Sequence, residues 1–489
     1  MAQASMEAFA GRPLPAWYDD AKFGVFIHWG LFSIPAFAPK VGKISDIFKT
    51  DYPRAVALSP YTEWYENAIK SADTPSAEFH RQTYGEAPYR AFREPFIEAL
   101  SQWDPDAWAE AIADSGARYV VLVTKNHDGF CLWPSAIENP NEPGWRTQRD
   151  VVGELAAAVR RTGLRFGVYY SGGIDWSFNR EPLRTLMDFV GSVPGGPYPA
   201  YADAQARELI DRYEPSVLWN DISWPDGQDA LNALFSDYYA RVPEGVVNDR
   251  WKTPTLGARA LRWKPARKLL DAVIRSRAAK AGAGTEGVVP PPVPHSDFRT
   301  PEYVRFDTIQ ARKWEATRGM SHSFGFNRND TEADYESAEH LLGELIDCVS
   351  KGGNLLLNIG PRGLDAQVPE PQLARLKAIG AWLRVNGAAI YGAQPWGIAD
   401  AETSDGTAVR FTRQGERLYV IVLGSPAGEE LVLKNVAAQG RAVRLSDGSP
   451  VELVQVGDDL HLRFSRPLDG GFGPVLAIDG AAVALAEAE

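Results

Sequence analysis

Along the chain, apolar residues gather in short dense runs, and each run closes on polar or charged groups. The runs are FGVFIHWG (23–30), ARYVVLVTKNHD (117–128), LRFGVYYS (164–171), SVLWND (216–221), GVVNDR (245–250), ARKWEAT (311–317) and GNLLLNIG (353–360). Runs of this length, rich in β-branched residues, predict strands buried on both faces, as in a parallel sheet. Segments with helical character lie between several of them: 105–116, 151–163, 203–213 and 339–353. Strand and helix in alternation, with crossovers of this length, predict an α/β fold. Almost every run ends in residues able to do chemistry: His28, Asn126-His127-Asp128, Tyr170, Asn220-Asp221, Asp249-Arg250 and Glu315. In a (β/α)8-like barrel all strand C-termini meet on one rim. In an open doubly wound sheet only the strands beside the switch point need such ends. The expectation is therefore a barrel, irregular because only these seven strands are clear.

The pattern changes after the helix at 372–387. From about Pro395 the chain reads as short alternating strands with glycine turns, which predicts a β-sandwich. The expected division is a catalytic domain over 1–393 and a sandwich domain over 394–489. One stretch, 252–296, stands apart. Between Lys252 and Lys280 it carries nine basic residues and a single acidic one, Asp271. Ala266, Leu269, Leu270, Val273 and Ile274 have helical spacing, and VVPPPVPH (288–295) is a stiff spacer. The bland reading is a basic surface insert; the alternatives are a flap over an active site or a subunit contact. Gly282, Gly284 and Gly287 match a dinucleotide-binding spacing, but no strand precedes them and no helix follows, so that reading is set aside.

The net charge of −12 disfavours nucleic acid and anionic membrane as partners. Cys131 and Cys348 lie far apart in apolar surroundings and are expected to be free buried thiols. The first residues lack the basic start and apolar core of a signal peptide, which favours a cytoplasmic location, with a secreted parent stripped of its signal as the alternative. No window reaches the ~18 apolar residues of a membrane helix.

Asp221 ends a very apolar strand, where a carboxylate must be solvated, hydrogen-bonded or functional. His28 and His127 also end strands, and Glu63-Trp64 lie in the loop PYTEWYENA. Carboxylates, neutral His and Asn, and flat indole faces together describe a sugar pocket. Cleaving a glycosidic bond needs two carboxyl groups flanking it. A divalent-metal site built from His28, His127, Asp128 and Asp221 is the competing use of the same residues, although no H-x-x-x-H or H-x-H pair occurs. A Ser–His–Asp triad lacks its nucleophile elbow.

FGVFIHWG, EWYENA, TKNHDGFCLW, GVYYSGGIDW, VLWNDISWP, VVNDRW, KWEATRGMSHSFGFNRND and GGNLLLNIGP, in this order over about residues 17–396, resemble the α-L-fucosidases of glycoside hydrolase family twenty-nine. The resemblance implies a (β/α)8-like barrel followed by a β-sandwich, and a retaining exo-glycosidase acting on fucosylated oligosaccharides or glycoconjugates without a cofactor or metal. It implies Asp221 as nucleophile and fucose contacts from His28, Glu63, Trp64, His127, Tyr170, Trp219, Arg250 and Phe324 or Phe326. Asn126 stands where many members carry a second histidine, and it still donates and accepts. VLWNDI resembles the broad-specificity branch of the family. Two glutamates compete for the general acid: Glu302 in RTPEY, which resembles the family's acid/base position, and Glu315 in KWEAT, otherwise a structural partner of Arg250 or Arg318. A glycosidase for another sugar such as galactose, and a silent sugar-binding relative, are the alternative functions. A homo-oligomer is compatible with either.

Overall fold

In the computed structural model, residues 9, 11–42, 44–255, 257, 261–278, 289–424, 428–434, 436–438, 440–468 and 472–479 are described. The Gly282, Gly284 and Gly287 spacing falls outside them. The seven apolar runs become seven strands: β1 Phe23–Ile27, β2 Tyr119–Lys125, β3 Arg165–Ser171, β4 Val217–Asp221, β5 Val246–Val247, β6 Trp314–Gly319 and β7 Gly353–Ile359. All pair in parallel, in the order β5-β4-β3-β2-β1-β7-β6.

The gap between β5 and β6 is filled by residues 297–303. Asp297 donates its backbone N–H to the Val247 carbonyl at 2.9 Å. Arg299 and Tyr303 donate to Lys313 and Thr317, while Glu315 and Thr317 donate back to Arg299 and Pro301. This segment acts as an irregular eighth strand and closes the ring. It escaped the apolar pattern because it reads DFRTPEY, polar and interrupted by a proline that cannot donate to a ladder.

Helices cross between the strands on the outside, among them Pro105–Asp114, Val151–Arg161, Tyr198–Tyr213, Gln228–Arg241 and Ala338–Ser350. Their starts are written in the sequence. Asp104, Asp150 and Ser337 each cap a helix by accepting from backbone N–H groups of its first turn. Alternate strand residues fill the barrel: Phe26, Tyr119, Val121, Val123, Tyr169, Val217, Trp219 and Leu356, with Phe298 from the closing segment. The interior is tight enough that a Cβ on Gly24 would stand 2.4 Å from the Tyr119 ring.

From Gln394 onwards the chain forms eight antiparallel strands: β8 Gln394–Glu402, β9 Ala408–Gln414, β10 Arg417–Val422, β11 Glu430–Leu433, β12 Ala442–Arg444, β13 Pro450–Val456, β14 Asp459–Phe464 and β15 Val475–Ile478. They are one hydrogen-bonded sheet folded over a core of Phe411, Leu418, Val420, Leu433, Leu460 and Leu462. Its two edges meet where Thr403 bridges Leu433. This is the expected sandwich.

The basic stretch contains a helix, Lys264–Ala278, but its apolar stripe does not face the protein. Leu269 is 72% exposed, whereas Arg267 and Asp271 are buried. Arg267 pairs with Glu181 and Asp188, and Asp271 accepts from Tyr52 Oη and Thr185 Oγ1, both at 2.8 Å. Two ion pairs and two hydrogen bonds seat this helix, whose existence the hydrophobic spacing predicted. Cys131 and Cys348 are buried and free. Among the described residues no helix is long and apolar enough to cross a membrane.

Candidate active site

Above the barrel interior the strand C-termini surround a cavity of about 260 Å³. Strand ends and the segments that follow them supply His28, His127, Tyr169, Trp219, Asp221, Arg250 and Thr317; the closing segment supplies Glu302. Longer loops add Glu63, Trp64 and Phe324, together with Phe48, Val56, Tyr61, Leu186, Phe189 and Ile222.

Asp221 is held on both oxygens. Oδ2 accepts from Tyr169 Oη at 2.7 Å, and Oδ1 accepts from Ile222 N at 2.8 Å and Arg250 Nη1 at 3.1 Å. Burial opposes its ionisation, but Arg250, His127 and the bonds from Tyr169 and Ile222 outweigh it, so its pKa lies below the usual value. Ile222 has φ of 70°, a left-handed backbone that is strained for a β-branched residue, and this turn aims its N–H at the carboxylate.

Arg250 is the hinge of the arrangement. Nη1 reaches Asp221 and Nη2 reaches Glu302 Oε1 at 2.8 Å. Nε donates to Thr300 Oγ1 at 3.0 Å, and the guanidinium lies over Trp219, 4.9 Å from the ring centre. Burial raises the pKa of Glu302 more than the Arg250 cation lowers it, and the nearby Asp221 charge raises it too. Glu63 is likewise raised, to about 7, chiefly by burial, although its Oε2 accepts from Gly325 N.

Both histidines are neutral, their pKa values lowered by burial to about 4. Their neighbours set the tautomers. Asn358 already donates through Nδ2 to the Phe324 carbonyl, so its Oδ1 accepts from His28 Nδ1 at 2.5 Å. Ser171 already donates to the Ile174 carbonyl, so its Oγ accepts from His127 Nδ1 at 2.7 Å. In each ring Nε2 is left as an acceptor, the atom a sugar hydroxyl requires.

Of the residues singled out from sequence, the cavity gathers His28, Glu63, Trp64, His127, Trp219, Asp221, Arg250, Glu302 and Phe324. Four others lie outside its lining. Tyr170 faces the outer helices, where Oη donates to Gln205 Oε1 and the ring lies under Lys125 Nζ. The tyrosine in the cavity is its neighbour Tyr169, which pairs in register with Trp219 and so shares its face. Glu315 is fully buried inside the barrel and accepts from Tyr18 Oη, Tyr119 Oη and Trp219 Nε1 at 2.8, 2.5 and 3.3 Å. It partners neither Arg250 nor Arg318, whose carboxylates are Glu336 and Glu344 for the latter. Phe326 is not part of the lining, and Asn126 accepts from its neighbour His127 N. Asp128, part of the metal alternative, instead accepts from Tyr89 Oη and Phe130 N. Among the described residues no three His, Cys, Asp or Glu side chains are grouped to hold a metal ion. Tyr169, Tyr61, Ile222 and the apolar outer residues were not found from sequence. Strand alternation combined with the register against Trp219 would have found the first; the others come from loops, which carry no period.

An ionised carboxylate and a carboxyl inclined to keep its proton, tied to one guanidinium beneath indole faces, form a site for acid-assisted cleavage of a sugar acetal. On a barrel rim that is the chemistry of a glycoside hydrolase. A family model described as alpha-L-fucosidase matches residues 1–388, and the chain belongs to that family. Tissue alpha-L-fucosidase of Bos taurus is 31% identical over 85% of this chain and 76% of its own length. Alpha-L-fucosidase of Branchiostoma floridae is 32% identical over 86% of this chain and 82% of its own. The crystal structure of Thermotoga maritima alpha-fucosidase in complex with fucose is 38% identical with a TM-score of 0.80, covering 99% of this chain and all of that one.

Proposed function

We propose that Asp221 is the nucleophile and Glu302 the general acid, then general base, in retaining hydrolysis of terminal α-L-fucosides by this chain. The observation that carries the assignment is Arg250, whose two terminal nitrogens hold the two carboxylates in one cavity. In the first step an Asp221 oxygen attacks the anomeric carbon. The bond from that carbon to the leaving oxygen breaks, and that oxygen takes the Glu302 proton. In the second, Glu302 takes a proton from water, whose oxygen displaces Asp221. Two inversions give net retention. Fucose as the sugar is supported by the family and by the fucose complex of the Thermotoga maritima relative. The substrates are fucosylated oligosaccharides or glycoconjugates. Catalysis belongs to residues 1–393, with the sandwich over 394–489 as a separate domain.

A second reading of the acid is favoured by one observation: Glu63 shares the cavity and is pushed up to about 7. The nucleophile is tested with Asp221→Ala. Turnover of an aryl α-L-fucoside should fall by about three orders of magnitude or more. Azide, occupying the vacated space, should restore it and yield β-L-fucosyl azide. Near-normal turnover without azide would overturn the assignment.

A further inference from the structure

The cavity has two kinds of wall, which come from different parts of the chain. Strand-end groups supply the donors and acceptors described above. Most of the outer wall is Phe48, Val56, Leu186, Phe189 and Ile222, none of which offers a side-chain hydrogen bond; Ser59 and Tyr61 add two hydroxyls to the lining. Val56 packs in one apolar cluster with Trp64, and Phe48, Phe189 and Ile222 pack against that cluster. A fucosyl unit has one methyl group to bury. Phe26 and Phe324, flanking His28 at 4.6 and 5.0 Å between ring centres, already provide an apolar surface for it. The outer wall is more apolar surface than that methyl can use.

Resting on the fucosidase reading, we propose that this wall is the leaving-group subsite and that, among the fucosylated glycoconjugates and oligosaccharides of that reading, it favours those whose aglycone is apolar, such as an aromatic alcohol, over those that place a second sugar there. A sugar seated there would find at most the Ser59 and Tyr61 hydroxyls beside five side chains unable to accept or donate, so most of its own hydroxyls would lose water without replacement. An aromatic ring loses nothing polar and gains burial.

The basic insert has a place in this subsite. Phe48 lies on the helix Ile44–Thr50, and Leu186 and Phe189 lie on the helix Leu186–Val190. Asp271 of the insert helix accepts from Tyr52 just beyond the first and from Thr185 at the start of the second. Arg267 adds its contacts to Glu181 and Asp188. The insert therefore holds two of the segments that contribute to the wall, those of Phe48 and of Leu186 and Phe189, and Asp271 and Arg267 are positioning residues.

The test uses S-linked fucosides as slowly hydrolysed competitive inhibitors, so that binding is read apart from leaving-group reactivity. In the wild type, phenyl 1-thio-α-L-fucoside should bind about tenfold more tightly than the methyl thioglycoside. It should also bind more tightly than an S-linked fucosyl galactoside. In Phe48→Ala/Phe189→Ala the phenyl-to-methyl ratio should fall to about threefold or less, while inhibition by free L-fucose stays within about twofold, which also reports correct folding. Asp271→Asn should lower the same ratio without removing a wall side chain. A wild-type ratio near one, a preference for the galactoside, or a ratio that survives both sets of changes would overturn the proposal. Failure of free L-fucose to inhibit the wild type would instead defeat the fucosidase reading on which it rests.

Discussion

Asp221 and Glu302 begin as carboxyl groups of similar acidity, and their surroundings drive them apart. Asp221 receives three hydrogen bonds and lies beside His127, which holds its pKa below the ordinary value, while burial holds that of Glu302 above it. The proposed mechanism needs Asp221 ionised and Glu302 protonated. Activity should therefore fall in acid, as Asp221 takes a proton below its lowered pKa, and fall in base, as Glu302 loses its proton above its raised one. Glu302→Ala should flatten the basic limb and spare an aryl fucoside with a good leaving group far more than a fucosyl disaccharide. If Glu63→Gln gives that pattern and Glu302→Ala does not, Glu63 is the acid. Glu315→Ala should depress both substrates alike and lower the melting temperature, because the Tyr18 and Tyr119 hydroxyls lose their acceptor at a cost of about 2–4 kcal/mol.

At the scale of elements, the closing segment 297–303 holds Glu302 in place and depends on side chains to do so. Thr300 donates its hydroxyl to Asp249 Oδ1 at 2.6 Å, and its Oγ1 accepts from Arg250 Nε. A ladder alone does not fix this stretch, since Pro301 has no N–H to contribute. Thr300→Val keeps the volume and removes both bonds. Its kcat on an aryl fucoside should fall by about 10–100-fold through misplacement of Glu302 and Arg250. The melting temperature should also fall, by less than for Glu315→Ala, because Asp249 and Arg250 each keep other partners; an unchanged kcat would show that backbone pairing suffices.

Across the whole molecule, the barrel and the sandwich are tied together through a buried carboxylate. Asp347, on the helix Ala338–Ser350, pairs with Lys351 at 3.0 Å and with Arg410 of β9 at 2.6 Å. Tyr419, Ile421, Val475 and Ala477 of the sandwich belong to the same apolar cluster as the outer barrel helices. Asp347→Ala should destabilise the protein by about 3 kcal/mol, because Arg410 loses this carboxylate and Lys351 keeps only the partly exposed Asp400 at 3.6 Å. Thermal denaturation should register this, while inhibition by fucose should be unaffected, since neither Asp347, Lys351 nor Arg410 lines the cavity.

The chain's own pattern determined the seven strands, the helices between them, the change to antiparallel strands near residue 394, and which strand ends carry chemistry. Those features are local: burial on both faces, helix caps and glycine turns all act within a few residues. Choosing Tyr169 over Tyr170 required the register between β3 and β4, because one step along a strand reverses the face and adjacent tyrosines look alike in sequence. Removing Glu315 from contention required knowing that three hydrogen-bond donors converge on it from distant parts of the chain. The eighth strand and the seating of the insert were hidden for the same reason. Both are held by polar contacts spanning many residues, Val247 with Asp297 and Tyr52 with Asp271, and such contacts leave no period in the sequence. Periodicity reports which residues leave water, whereas the partner of a buried polar group is decided only when the chain has closed on itself.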